Sequence, residues 1–295
     1  MKCPVLLRVA MIGMFVPLLG SGSARQPRDC LQPSSDTFKI FDAMMYAGKP
    51  DTRTFGMKPA YIVDRGFWVD ESTRQAVDPA KLTRRLKEFP ASDGLIVLDV
   101  EHLPLTGQPA SVAKSLSMMR QLAEKSRDSG SGRKIGYYGL LPLSEYWRPI
   151  NGLPGGGFTD WRRDNARIAG LGRSIDVNLP SLYTFYPDRK GWVQQAEILV
   201  CEARRISDKP VYAFVWPEYH DSTEQAGRPV PGDYWRLQLQ TLRRIADGVV
   251  IWGGYDLKNQ RAYKWNPDAE WWIVTRQELV DRQEAGGDPS PLDAP

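Results

Sequence analysis

The chain has 295 residues, 42% of them hydrophobic and 25% charged, with a formal net charge of +4. That length carries one large core, the size of a single α/β barrel, and the charged fraction excludes a chain disordered throughout. The mild positive balance does not argue for nucleic acid; it would suit an acidic polysaccharide, and it follows equally from an ordinary solvated surface.

Lys2 and Arg8 flank the start of an apolar run over 9–19, and small residues follow at 20–24. This order predicts a secretory signal peptide over residues 1–24, cleaved near Ala24. As a membrane anchor the run is too short, and Pro17 interrupts it. The mature chain is therefore expected off the membrane, secreted or periplasmic. Residues 25–36 are polar and proline-containing and read as a linker.

Short apolar runs then alternate with amphipathic stretches. Strands are predicted over 38–46, 60–69, 94–101, 134–140, 176–183, 210–216 and 248–253. Helices are predicted over 79–88, 111–128, 161–170, 190–206 and 233–246. In the second of these, Val112, Leu116, Met119 and Leu122 recur at spacings of four and three and make one apolar face. The run Leu95-Ile96-Val97-Leu98 is apolar on both faces, as in parallel sheets covered on both sides. Such alternation predicts an α/β fold, a TIM-like (β/α) barrel, distorted, with seven or eight strands over 37–283. The alternative, an open doubly wound sheet, lacks a glycine-rich phosphate loop after its first strand. Gly155-Gly156-Gly157 reads as a loop. The tail 284–295 is rich in Gly, Pro and Asp and is expected to be flexible.

Once a signal peptide carrying Cys3 is removed, Cys30 and Cys201 remain. An even number in an exported chain fits one disulfide; the alternative is two buried thiols. The only histidines are His102 and His220, so neither a histidine-based triad nor a zinc site is indicated, and no cofactor is expected. His220 reads as a loop histidine.

Barrel enzymes carry their chemistry where strands end. The third strand ends Asp99-Val100-Glu101. Two residues apart on a strand, the carboxylates point the same way, with Cα atoms about 6.6 Å apart. Two neighbouring carboxylates push one pKa up, so one can stay protonated as a general acid while the other is charged. Glycosidic cleavage needs such a pair. Other strands end on aromatics: Tyr137 and Tyr138, Tyr183, Trp216 and Trp252. Aromatic faces stack on pyranose rings, so these are candidate sugar contacts. The bland reading of each is that the carboxylates solvate a strand end, that Trp252 is core, and that the tyrosines are buried hydroxyls with a backbone partner. Trp265, Trp271 and Trp272 read as helix-to-barrel packing.

With these residues in hand, the chain resembles the animal and venom-type hyaluronidases. Phe38-Lys39-Ile40-Phe41 looks like the family's first strand. The run from Gly94 to Glu101 looks like the strand bearing its catalytic Asp-x-Glu. Gly136-Tyr137-Tyr138-Gly139, Pro180-Ser181-Leu182-Tyr183, Lys209-Pro210-Val211-Tyr212 and the run from Asp247 to Gly253 follow in family order, so that the likeness covers roughly residues 36–256. The resemblance implies a retaining, substrate-assisted glycosidase acting on a polysaccharide that contains N-acetylhexosamine. Glu101 would be the acid and then the base. Asp99 would orient and stabilise the substrate's acetamido group, the internal nucleophile. Tyr138, Tyr183 and Trp252 would line the subsite of the reacting sugar. The chain departs from the pattern at Val100, where the family carries Trp, at His102-Leu103-Pro104-Leu105, where Trp-Arg-Pro is usual, and in lacking the family's cysteine framework. These departures flank the carboxylates and leave the polymer open. A lysozyme-like cell-wall hydrolase and a non-catalytic carbohydrate-binding barrel stay as alternatives.

Overall fold

Runs that are apolar on both faces become the strands. The computed structural model describes residues 29–286 apart from 36, 91–92, 130–131, 147–149, 151–155 and 257. The predicted signal peptide and residues 287–295 of the expected tail lie outside the described residues. Six strands, β1 (Lys39–Met44), β2 (Lys58–Val63), β3 (Leu95–Leu98), β4 (Lys134–Tyr137), β5 (Tyr212–Val215) and β6 (Gly248–Gly253), form one sheet in the order β4-β3-β2-β1-β6-β5. Every pairing in it is parallel. Helices α1 (Pro79–Lys87), α2 (Pro109–Asp128), α3 (Gly156–Ile168), α4 (Arg189–Ile206), α5 (Gly232–Ile245) and α6 (Glu270–Gly286) accompany it. The chain is thus an α/β barrel. Among the described residues no helix is long and apolar enough to cross a membrane.

The sheet curls, and its two free edges, β4 and β5, are joined through the extended segment 176–184. On one side the Asp176 N–H donates to the Ile135 carbonyl (2.8 Å) and the Gly139 N–H to that of Leu179 (2.9 Å). On the other, the Tyr212 N–H donates to Asn178 (2.9 Å) and the Phe214 N–H to Pro180 (2.8 Å). The fifth predicted strand, 176–183, is therefore present as a stave held by isolated bridges, not as a regular strand. Pro180 has no N–H to give to a ladder, which accounts for its irregularity. Gly136 is needed where this stave crosses β4: a Cβ there would come within 2.7 Å of both the Leu179 side chain and the Val177 carbonyl.

Strand parity divides the core. Phe41, Ala43, Leu95, Val97, Tyr212, Phe214 and Val250 cluster inside the barrel. Ile96, Leu98 and Ile135 on one side, and Ala213, Val215, Val249 and Ile251 on the other, belong to outer clusters shared with the helices. Trp271 and Trp272, on α6, are buried there, and Trp271 stacks on Tyr46 with centroids 5.6 Å apart. Asp78 caps α1 by accepting from the N–H groups of Ala80 and Lys81, and Asp188 caps α4 at Gly191.

Three expectations need adjusting. The Gly155-Gly156-Gly157 loop gives way at Gly156, where α3 begins. The second strand ends at Val63, and the chain turns away before Trp68, which bridges Val77. The expected linker 25–36 is, over 29–35, pinned to the barrel. Cys30 is disulfide-bonded to Cys201 on α4, with sulfurs 1.95 Å apart. The Ser34 hydroxyl donates to Asp247 (2.6 Å).

Candidate active site

Inward parity carries on past the ends of the strands. Inside the barrel, Val97 is followed by Asp99, Gly136 by Tyr138, Phe214 by Trp216 and Val250 by Trp252. Together with Tyr183 from the closing stave and Glu101, these residues line one cavity of about 530 Å³ at the strands' C-terminal end. A second cavity of about 470 Å³ adjoins it, lined by Glu101, Tyr138, Tyr146, Ser181 and Phe185. Glu101, Tyr138 and His220 belong to both. Glu101 thus stands at the junction of a two-part cleft, and Asp99 lies on one side only.

The aromatics form a continuous wall. Tyr183 stacks on Trp252 (centroids 5.8 Å, planes 30° apart), and Trp216 meets Trp252 edge-on at 4.6 Å. Tyr138 lies 5.8 Å from Tyr183, and its hydroxyl donates to Ser181 (3.3 Å). Burial raises both tyrosine pKa values, so each hydroxyl keeps its proton.

The carboxyls are held by backbone alone. The Asp99 N–H donates to the Val63 carbonyl (3.0 Å), and buried Val100 anchors the turn. Among the described residues no side-chain hydrogen bond or ion pair engages either carboxyl. Burial, then the charge of Glu101, pushes Asp99 up to about 7; burial raises Glu101. The pair keeps one proton towards neutrality. Among the described residues no group of three or more His, Cys, Asp or Glu side chains is placed to hold a metal ion.

Of the predicted contacts, Tyr138, Tyr183, Trp216 and Trp252 meet the carboxyl pair. Tyr137 does not. One residue out of parity with Tyr138, it points outward, is 1% exposed, and its hydroxyl donates to the Met119 carbonyl of α2 (2.6 Å).

No protein-family model matches the chain, and no curated protein matches it in sequence. Among solved structures, bee venom hyaluronidase in complex with a hyaluronic acid tetramer aligns with a TM-score of 0.54 at 15% identity, covering 84% of this chain and 95% of that one. A second, monoclinic structure of bee venom hyaluronidase aligns at 0.51 and 16%, covering 84% and 96%. The two proteins share a fold. An endo-β-1,4-mannanase of Cellulomonas fimi aligns at only 0.48 and 16%, over 78% of this chain and 55% of that one.

Two residues of this shared barrel escaped the sequence reading. His220 lines both parts of the cleft and stacks on Phe185 at 4.4 Å. Its Nδ1 lies 3.2 Å from the Ser222 nitrogen, 2.8 Å from the Ser222 hydroxyl and 3.3 Å from an Asp221 carboxylate oxygen. Burial lowers its pKa, which keeps it neutral. The signal lay in its spacing, four residues after the strand-end Trp216 and two before a serine.

Glu218, 8% exposed, lies behind the aromatic wall. The Tyr46 hydroxyl donates to its Oε1 (2.5 Å), and its Oε2 faces the Trp216 indole N–H. Both lie beside Gly253, whose φ is +147°: a Cβ there would be 3.0 Å from Oε2 and 3.2 Å from the indole nitrogen. Burial pushes Glu218 up to about 7. A carboxyl whose folded pKa exceeds its unfolded value holds its proton longer when folded, so stability falls as pH rises from the ordinary carboxylate range through about 7. Asp99 acts with the same sign. Glu218→Gln keeps an acceptor for Tyr46 and removes this dependence. Urea denaturation should show the variant gaining on the order of 3 kcal/mol relative to wild type between about pH 4 and about pH 8. Parallel pH curves for the two proteins would contradict a buried, ionisable Glu218.

Proposed function

We propose that this chain is an exported glycoside hydrolase that cleaves a polysaccharide containing N-acetylhexosamine, with retention, the substrate's acetamido group serving as nucleophile. The observation that carries this reading is the placement of Glu101 at the junction of a two-part cleft walled by Tyr138, Tyr183, Trp216 and Trp252, with Asp99 beside it in one part and no side-chain partner to either carboxyl among the described residues. Two residues apart just past the end of β3, which stops at Leu98 and not at the predicted Glu101, Asp99 and Glu101 approach a glycosidic bond from a single wall. They do not flank it, as an acid and a protein nucleophile or base would. An internal nucleophile supplies the missing attack.

Position divides the roles. Glu101, shared by both cavities, reaches a glycosidic oxygen whose two sugars occupy the two sides; it protonates that oxygen and then deprotonates the incoming water. Asp99 lines only the part walled by Tyr183, Trp216 and Trp252, where the reacting sugar and its acetamido group would sit. An acetamido N–H donating to Asp99 favours its charged form and shifts the pair's proton onto Glu101. The tyrosine hydroxyls and the His220 ring orient the polar groups of the sugars. Export is supported by the signal pattern over 1–24 and by the disulfide, a bond of oxidising compartments.

The test is reducing-end release from N-acetylhexosamine polymers, with the product anomer followed by NMR. Retention is expected; an inverted product would sink the internal nucleophile. The alkaline limb of kcat/KM should lie near pH 7, where the free pair loses its last proton and with it the general acid. In Asp99→Asn the neighbouring charge is gone, so that limb moves to lower pH. A limb unmoved by the substitution would show that the two carboxyls do not titrate together.

A further inference from the structure

The part of the cleft that Asp99 does not reach holds a side chain that is out of place in a packed core. Gln195, on α4, is only 2% exposed, yet it lines that cavity. Its Oε1 is buried and has no hydrogen-bond partner. A buried acceptor without a donor opposes folding, so it calls for an explanation in packing or in a ligand that completes it. Packing alone does not ask for it. On the same face of the helix Trp192, Ala196 and Leu199 sit in the apolar core, and a methionine, of the same length, would fill the place of Gln195 with no orphaned atom.

The nearby hydroxyls have partners of their own: the Ser181 N–H donates to the Ser144 Oγ (2.8 Å), and the Ser181 Oγ accepts from Tyr138 (3.3 Å). Leu103, Leu105, Leu140 and Leu143, half-buried, give the same part an aliphatic wall. A carboxamide offers an acceptor and N–H donors side by side, here beside aliphatic side chains. The sugar substituent that matches both is an N-acetyl group. Its N–H supplies the donor that Oε1 lacks, its carbonyl accepts from Nε2, and its methyl lies against the leucines. A carboxylate has no proton for Oε1, and a hydroxyl leaves the leucines uncovered. We propose that this part of the cleft is a second N-acetyl subsite, recognised by Gln195, so that the polymer is N-acetylated on both sides of the bond that breaks. This rests on the glycosidase reading, which places the leaving sugar there.

Gln195→Met removes the carboxamide and keeps the length of the side chain. Calorimetry in a Glu101→Gln background separates binding from turnover: adding Gln195→Met should weaken binding of fully N-acetylated chitohexaose about tenfold. On a half de-N-acetylated chitin, mass spectrometry of the products reads the units on both sides of each cut. With Gln195 in place, N-acetylated units should be enriched at the new reducing ends and at the new non-reducing ends. Gln195→Met should lose the second enrichment and keep the first. Its urea midpoint should equal or exceed that of wild type, since an orphaned polar atom has gone. Unchanged affinity in the variant would overturn the proposal, and so would failure of chitohexaose to bind at all. New non-reducing ends drawn at random from the two kinds of unit, or enriched in free amines, would overturn it as well and leave the glycosidase reading intact. The expected loss of affinity with no turnover of any polymer by the wild type would instead overturn the glycosidase reading and leave the N-acetyl site standing.

Discussion

Glu101→Gln is expected to lower turnover of an N-acetylhexosamine polymer by about 10²–10⁴-fold, the usual worth of a positioned general acid and base. Glutamine keeps the shape and the hydrogen-bonding reach of the side chain. It can neither protonate a leaving oxygen nor take a proton from water. Because Glu101 accepts no side-chain hydrogen bond among the described residues, the change orphans no protein donor, and oligosaccharide affinity should stay within a few-fold of wild type. Reducing-end assays under saturating substrate, paired with calorimetry, separate the two effects. Turnover within a few-fold of wild type would remove Glu101 as the acid. Equal losses from Glu101→Gln and Asp99→Asn with identical pH profiles would remove the division of labour between them. The unequal placement of the two carboxyls, one at the junction and one to its side, argues for different profiles.

Much of this site was legible because strand parity and strand ends are written locally. A run such as Leu95-Ile96-Val97-Leu98 declares a strand buried on both faces, and whatever follows it must emerge at a barrel mouth. Asp99, Tyr138, Trp216 and Trp252 all follow from that rule. Tyr137 was a parity error: adjacent residues on a strand face opposite ways, and Tyr138 had already taken the inward position. The stave 176–184 was readable as extended but not as irregular, since its pairing depends on two edges distant in sequence. Residues 29–35 look like a linker by composition, and only their long-range partners, Cys201 and Asp247, hold them in place.

Glu218 and His220 were hidden for a different reason. A carboxylate just past a strand end reads as solvated, and nothing local says that Tyr46 closes over it. Net charge was silent for a similar reason. A sum over 295 residues carries no information on which end of the barrel holds which sign. The resemblance to hyaluronidases and the alignment with bee venom hyaluronidase agree on the barrel. They do not carry the polymer.

Cys201→Ser is expected to cost the fold roughly 2–5 kcal/mol, towards the upper end, because the bond closes a long stretch of chain. Cys30 and Cys201 are 171 residues apart in sequence, and closing a loop of that length removes much of the unfolded chain's freedom. The N-terminal segment would not detach entirely, since Ser34 still bonds Asp247, and the Arg204 guanidinium donates both to Asp247 and to the Cys30 carbonyl. Cys201 lies near the C-terminal end of α4, a crossover helix that runs back towards the N-terminal ends of the strands. The loss should therefore be felt in stability and not in the chemistry at the other end of the barrel. Urea midpoints for wild type with and without reductant, and for Cys201→Ser, test both halves. Reductant should bring the wild type to the variant's midpoint and leave the variant unmoved, with kcat equal for all three wherever the protein is folded. A wild-type midpoint indifferent to reductant would mean that the bond does not hold this fold, and would remove the strongest structural support for export to an oxidising compartment.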